Sequence, residues 1–387
     1  MNTRLQVEHT VTEAVTGLDL VEWQLRVAAG EPLPLAQAQI PLNGHAIEAR
    51  VCAEDPWRDF LPSAGTLQLA DWPRGESLRV DAGFESQDAV PSVYDSLLAK
   101  VIAWAPSREQ AALRLADALD HTYLAGVHTN ERWLGRILRS PIFLEGRHSV
   151  ALLDRRAADF SRPVAATPEV LALAALAARP MARAGRGAVV AASPWEVCDG
   201  FHPNFPAGID LTLSSGGRTH QVRLVLQDGQ PCKALLAAPA GEPSTGESGA
   251  RLELAAVAVT DDTIIAAVGG KRRSARWLRR GPQLHVWIGD AHHEFLLEDP
   301  RTKEFNAGAS SGGLTTPLPG VVAAVAVRKG QTVSAGEVLM VIEAMKMEHS
   351  ITAPHDGVVR EIHFAAGDRV PEGSELLALS RTGDSTS

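Results

Sequence analysis

"EAMKMEH", residues 343–349, decides how the C-terminal part of this chain is read. The chain has five methionines, and two of them, Met345 and Met347, stand on either side of Lys346. The run before it, Val338-Leu339-Met340-Val341-Ile342, is apolar and β-branched and reads as a strand. Ser350-Ile351-Thr352 reads as a second strand, so Met345-Lys346 falls at a hairpin turn. Such turns favour Asn-Gly or Asp-Gly, because the backbone there needs positive φ. A Met-Lys turn breaks that preference, and a broken local rule points to a functional demand.

Working outward, residues 317–380 contain an internal repeat. Gly320, Gly330, Val333, Gly336 and Leu339 recur 37 residues later as Gly357, Gly367, Val370, Gly373 and Leu376, and Pro317 recurs as Pro354. The pattern predicts two similar strand-turn-strand halves related by a pseudo-two-fold axis in a flattened all-β barrel. Lys346 lies between the halves, at an exposed end. The preceding residues 306–315, "NAGASSGGLT", are Gly/Ser-rich and read as a tether within a linker at 301–316. A tethered domain displaying one lysine has the properties of a swinging carrier.

The rest of the chain divides in two. From about 188 to 298 the pattern has period two: "RTHQVRLVLQ", "RLELAAVAV", "TIIAAVGG", "QLHVWIG" and "HHEFLLE" are short strands separated by turn pairs such as Gly269-Gly270. This predicts a small antiparallel barrel or meander, with 238–249, "APAGEPSTGESG", as a flexible insertion. Ahead of it, Pro168–Arg179 is an Ala/Leu-rich helix ending at Pro180, and 182–187 reads as a loop. Residues 1 to about 155 mix helix and strand. Val11–Ala28 has apolar residues at helical spacing, His45–Ala53 alternates as a strand, and Arg108–Leu119 reads as a helix.

Composition narrows the function classes. A chain of 387 residues, 45% hydrophobic and 21% charged, is ordinary for a soluble protein of two or three domains. A net charge of −9 argues against nucleic acid or an anionic membrane as partner. Cys52, Cys198 and Cys232 show no metal or redox spacing, which fits a reducing cytoplasm. The longest apolar stretch, Val170–Ala178, is too short to span a bilayer, and the N-terminus has no apolar core of a signal peptide.

That N-terminus is unusual in another way. A strand through Asn2, Arg4, Gln6 and Glu8 would place all four on one face, an arrangement suited to a small anion and a base. By residues alone, a solvated strand face explains it as well.

Two resemblances join these segments. "EAMKM" matches the attachment motif of biotin carboxyl carrier domains; lipoyl domains share that fold but carry Asp-Lys-Ala or Asp-Lys-Val at the turn. "MNTRLQVEH" with "VTEAVTGLDLV", "HAIEARVCAEDP", "FLPSAG" and "YDSLLAK" resembles the end of the ATP-grasp region and the C-terminal subdomain of biotin carboxylases. The resemblance implies covalent biotin on Lys346, flanked by Met345 and Met347. It implies that Asn2 helps bind metal-nucleotide (ATP with Mg2+ or Mn2+). Arg4, Gln6 and the Val7 backbone would hold bicarbonate, with Glu8 the general base that deprotonates it. Arg50 would bind bicarbonate and biotin and stabilise the biotin enolate. Bicarbonate must lose its proton, and the ureido nitrogen must become nucleophilic.

The implied whole is the C-terminal portion of an acyl-CoA carboxylase α subunit, a multidomain α+β protein. It comprises a partial biotin carboxylase domain (1–155), a subunit-docking antiparallel barrel around a helix (160–300), the linker (301–316) and the biotinyl domain (317–380). "SPWEVCDG" (193–200), with Trp195 read as core, and "HVWIGDAHHEFLLEDP" fit the docking segment loosely; His292 and His293 should face opposite sides of a strand. The implied partners are a carboxyltransferase β subunit and a biotin protein ligase. The acceptor would be 3-methylcrotonyl-CoA, a step of leucine degradation, on the resemblance of Met347-Glu348-His349 to methylcrotonyl- and geranyl-CoA carboxylase carriers. Propionyl-, acetyl- and geranyl-CoA are the alternatives. The family's glycine-rich lid, phosphate-binding lysines and metal-binding glutamates have no counterpart in these 387 residues. The chain therefore reads as part of a longer subunit or as a truncated gene product. A non-catalytic carrier and assembly module remains the other reading.

Overall fold

The computed structural model describes residues 3–149, 151, 160, 164–179, 206–227, 229–237, 249–298, 313–316, 319–345 and 347–381. Lys346, Asn2, Cys198 and the segment around Trp195 lie outside the described residues. The chain forms two compact units, one joining 1–162 to 310–387 and the other spanning 163–309.

In the first unit, the strands His45–Cys52, Leu97–Ala105 and Leu78–Ala82 form a three-stranded antiparallel sheet with the Leu97–Ala105 strand central. One face is apolar: Ala49, Val51, Val101 and Ala103 are buried with Ala112, Leu115 and Leu119 of helix Arg108–Asp120. Alternation sends Glu48, Arg50 and Lys100 to the opposite face. Ser107 caps that helix by accepting from the Gln110 N–H.

Two expectations fail at the N-terminus. Residues 3–8 form no strand; the segment turns at Val7-Glu8 and Glu8 becomes the N-cap residue of helix His9–Thr16. An isolated alternating stretch has no ladder to satisfy its backbone, so period two alone does not make a strand. The helix expected over Val11–Ala28 is two helices, His9–Thr16 and Leu20–Ala28. Gly17 ends the first at φ +70°, and the Asp19 side chain caps the second by accepting from the Glu22 N–H at 2.8 Å.

The second unit is a closed barrel of eight antiparallel strands running from Gly208–Ser215 to Ala291–Leu297 in sequence order. Helix Pro168–Ala178 packs into its core, as the resemblance implied. Every residue from Val170 to Ala178 is buried, in one cluster with Leu213, Leu224, Ile264, Ala266, Val286 and Phe295. A helix apolar on all sides is stable only when enclosed. Its alanines, Ala172, Ala174, Ala175 and Ala177, keep it thin enough for a barrel of this strand number. Both ends are tied: Arg273 donates twice to Glu169, at 2.7 and 3.1 Å, and Arg279 donates to the Ala178 carbonyl at 3.0 Å. Thr167 and Pro168 start the helix as N-cap and first-turn residue. Replacing Leu173, fully buried, with alanine is expected to cost the barrel about 2–5 kcal/mol. Hydrogen exchange should show the loss in barrel strand amides and leave residues 319–345 unaffected.

The carrier segment repeats as expected. Strands Gly320–Val325, Thr332–Val333 and Val338–Ala344 have counterparts at Gly357–Ile362, Arg369–Val370 and Glu375–Arg381, each 37 residues on. Register shifts fall at Val322/Ala324 and Val359/Glu361, again one repeat apart. Each short strand pairs with the other half: Gly320 faces Val370 and Val333 faces Gly357. The result is two four-stranded sheets around a shared apolar core of Val322, Leu339, Ile342, Val359, Leu376 and Leu377.

The tether assignment needs correction at its end. Gly313–Thr315 is a strand, pairing with Glu375–Arg381 through Gly313–Ala378 and Leu314–Leu377. Its repeat partner is Ser350–Thr352 on the other sheet, and Leu314 packs on the core. An apolar side chain with a core to cover overrides the flexibility of its Gly/Ser neighbours.

Candidate functional site

The polar face of the three-stranded sheet carries the candidate site. Register places Arg50, Lys100 and Asp81 in one row across the strands. The N-terminal segment is held over this row by three contacts. Lys100 Nζ donates to the Val7 carbonyl at 3.2 Å, Arg50 donates to Glu8 at 2.9 Å, and Thr10 donates to Glu48. Glu48 is nearly covered and also pairs with Arg50 Nε at 3.5 Å. Lys100 pairs with Asp81 at 3.2 Å. The His9 ring donates to the Gln6 carbonyl at 2.7 Å, which fixes the turn that presents Glu8.

Glu8 and Arg50 are therefore brought together, 42 residues apart in sequence. Both remain about half exposed, at 57% and 49%, so the pair is open to a small solute and contributes little to stability. Arg4 is exposed and Gln6 half-buried on the same short segment. Chemically, the arrangement offers a guanidinium for an anion beside a carboxylate able to take a proton. Sequence reasoning missed Lys100, Glu48 and Thr10 as positioning groups. The period-two spacing of Glu48 and Arg50 was a usable signal for the first pairing; nothing local marks Lys100 as the partner of Val7.

The neighbouring thiol is quiet. Burial first, then the Glu54 carboxylate, pushes the Cys52 thiol up to about 11. Cys52 and Cys232 are free. Among the described residues no group of three His, Cys, Asp or Glu is arranged to hold a metal ion. In the barrel, His292 and His293 alternate as expected: His293 is buried, whereas His292 stacks on Trp287.

At the carrier, Ala344 pairs with Met347, so two residues of sequence, Met345 and Lys346, separate the paired ends of the strands Val338–Ala344 and Met347–Thr352. Met345 has φ +47°, a left-handed conformation that costs a long side chain about 1–3 kcal/mol. The two methionines differ: Met347 is 41% exposed and Met345 only 5%. Met345 is not part of the carrier's own core.

Four family models match, each to a different stretch. Residues 1–36 match "Carbamoyl-phosphate synthase L chain, ATP binding domain" and 48–155 match "Biotin carboxylase C-terminal domain". Residues 167–301 match "Methylcrotonyl-CoA carboxylase, alpha-subunit, BT domain", and 312–379 match "Biotin-requiring enzyme". Together these are the domain families found in biotin-dependent acyl-CoA carboxylase α subunits.

Curated α subunits align along almost the whole chain. The mitochondrial methylcrotonoyl-CoA carboxylase subunit alpha of Arabidopsis thaliana is 32% identical over 98% of this chain and 55% of its own length. The mitochondrial propionyl-CoA carboxylase alpha chain of Sus scrofa is 34% identical over 98% of this chain and 52% of its own. The chain thus spans about half the length of these α subunits. Among solved structures, the biotin carboxylase domain of a thermophilic 2-oxoglutarate carboxylase bound to bicarbonate is 41% identical over 42% of this chain and 36% of that one, with a TM-score of 0.41. Among the described residues no helix of this chain is long and apolar enough to cross a membrane.

Proposed function

We propose that the chain is the biotin-bearing part of an acyl-CoA carboxylase α subunit, in which biotin joined to Lys346 is carboxylated at the expense of ATP and bicarbonate. The observation that carries this reading is the left-handed Met345 between paired strand ends, immediately before Lys346 in sequence, in the same chain as the Glu8–Arg50 pair. When bound, biotin supplies a ureido nitrogen that accepts a carboxyl group. Glu8 would remove the bicarbonate proton. Arg50 would hold the anion and offset negative charge developing beside it, helped by Arg4, Gln6 and the Val7 backbone. Lys100 and Glu48 would position the pair rather than react. Asn2 is the proposed contact to metal-nucleotide, with Mg2+ or Mn2+.

The proposed partners are a biotin protein ligase, which attaches the cofactor, and a carboxyltransferase β subunit, which the barrel unit would dock. The free thiols Cys52 and Cys232 suit a reducing compartment such as the cytoplasm.

The proposed acceptor is 3-methylcrotonyl-CoA, which would place the enzyme in leucine degradation. The support is the match of residues 167–301 together with Glu348 and His349 next to the biotinyl position, where they would meet the partner surface. The test reconstitutes the full-length α subunit with its neighbouring β subunit and compares carboxylation of 3-methylcrotonyl-, propionyl-, acetyl- and geranyl-CoA. We expect kcat/KM for 3-methylcrotonyl-CoA to lead by about tenfold or more. A higher value for propionyl-CoA would remove this acceptor and leave the carrier chemistry standing. A second reading is a non-catalytic carrier and assembly module, supported by the closed barrel and the two-sheet carrier segment, neither of which holds the Glu8–Arg50 pair.

A further inference from the structure

Met345 leaves its own domain's core and enters another. It lies in a cluster with Ala53, Leu67, Val90, Leu98 and Val127, all from the carboxylase segment of the same unit. Its backbone N–H donates to the Ser92 carbonyl at 2.7 Å. In return Leu61, from the carboxylase segment, joins the apolar cluster of the carrier. The hairpin is therefore held by a plug, a latch and a reciprocal apolar contact.

We propose that this pocket is a docking socket that seats the carrier hairpin of the same chain, with Met345 as the plug and the Ser92 carbonyl as the latch. The inference deepens the biotin-carrier reading and rests on it for its purpose, though the contact itself does not depend on biotin. Both walls of the socket continue strands of the candidate site. Ala53 follows the strand of Arg50 by three residues, about 10 Å. Ser92 precedes the strand of Lys100, and the two segments are joined where the Ala53 N–H donates to the Ser96 carbonyl at 2.8 Å. Met345 is thus seated at the end of the sheet that carries Arg50.

The socket also accounts for the strain. Period two sets Met345 on the side of Val341 and Glu343, away from the carrier core of Ile342 and Ala344, and its left-handed φ falls where the strand ends. Methionine suits a contact that must form and release repeatedly, because its unbranched thioether adapts to an irregular pocket without a fixed shape. Two apolar side chains, Met345 and Leu61, and one hydrogen bond make a shallow hold, as a carrier serving two sites requires.

Disulfide trapping tests this in the full chain. Ser92→Cys with Met345→Cys puts thiols on residues whose backbones share a hydrogen bond, within disulfide range. Ser92→Cys with Lys329→Cys is the control, since Lys329 lies in the exposed turn beyond Gly320–Val325, away from the hairpin. Under mild oxidation at low protein concentration, the first pair should close within single chains at least about fivefold faster than the control. In parallel, Met345→Asp should speed hydrogen exchange in peptides covering 88–98, because a carboxylate cannot occupy an apolar pocket. Equal rates for the two cysteine pairs, or unchanged exchange in Met345→Asp, would overturn the socket. Avidin labelling of the unaltered chain reports separately on the carrier reading, so the two fail independently.

Discussion

Lys346→Ala is expected to remove all biotin from the chain. After co-expression with a biotin protein ligase, avidin blotting should give a strong band for the unaltered chain and none for the variant. The effect should be all-or-none, because a ligase acts on a lysine in one structural setting, here the residue after left-handed Met345 between paired strand ends, and no other lysine among the described residues has it. Lys329 follows Arg328 in the other turn of the same half, and Lys271 opens a barrel strand; neither sits between paired strand ends with a left-handed residue before it. The same half-repeat offers an internal control. The position 37 residues beyond Lys346 is Gly383, so the repeat offers no second lysine at the twin position. A retained avidin signal in the variant would defeat the carrier assignment.

The 387-residue chain by itself is expected to hydrolyse ATP no faster than its Glu8→Ala variant. The match to the ATP-binding family covers only residues 1–36, and no Gly-x4-Gly-Lys stretch is present to cradle phosphates. Glu8 and Arg50 are apposed, but in their proposed roles of proton acceptor and anion site they have no leaving group to act on without a bound nucleotide. Helix Leu20–Ala28 buries none of its residues, and Leu25 is 68% exposed, so this helix presents bare apolar surface. In an α subunit of the relatives' full length, biotin-dependent ATP turnover should appear, and Glu8→Gln should then lower it by about 10²–10⁴-fold. Arg50→Lys keeps the charge but loses the planar fork, and should weaken bicarbonate binding rather than restore it. ATPase above the Glu8→Ala background in the 387-residue chain would contradict the expectation. Its absence in the full-length α subunit would favour the assembly-module reading.

The sequence by itself determined the carrier and the barrel. A glycine and valine pattern recurring at one offset of 37 residues encodes two copies of the same backbone path, and the strands, bulges and left-handed glycines fall at that offset. Period-two alternation set the barrel strands, and nine consecutive apolar residues from Val170 could only be a buried helix. These are local signals, written in the spacing of neighbouring residues. Where the signal was local but weak, it misled: Asn2 to Glu8 alternates without a ladder, Gly17 divides a helical run, and Leu314 hides a strand among glycines and serines. What tertiary structure alone decided is which distant residues meet. Glu8 reaches Arg50 across 42 residues, Lys100 reaches Val7 across 93, and Met345 leaves its own sheet for a pocket begun at Ala53. No periodicity records such pairings, because each depends on the faces that packing leaves exposed. Strand twist and helix burial fix those faces only after the core has formed.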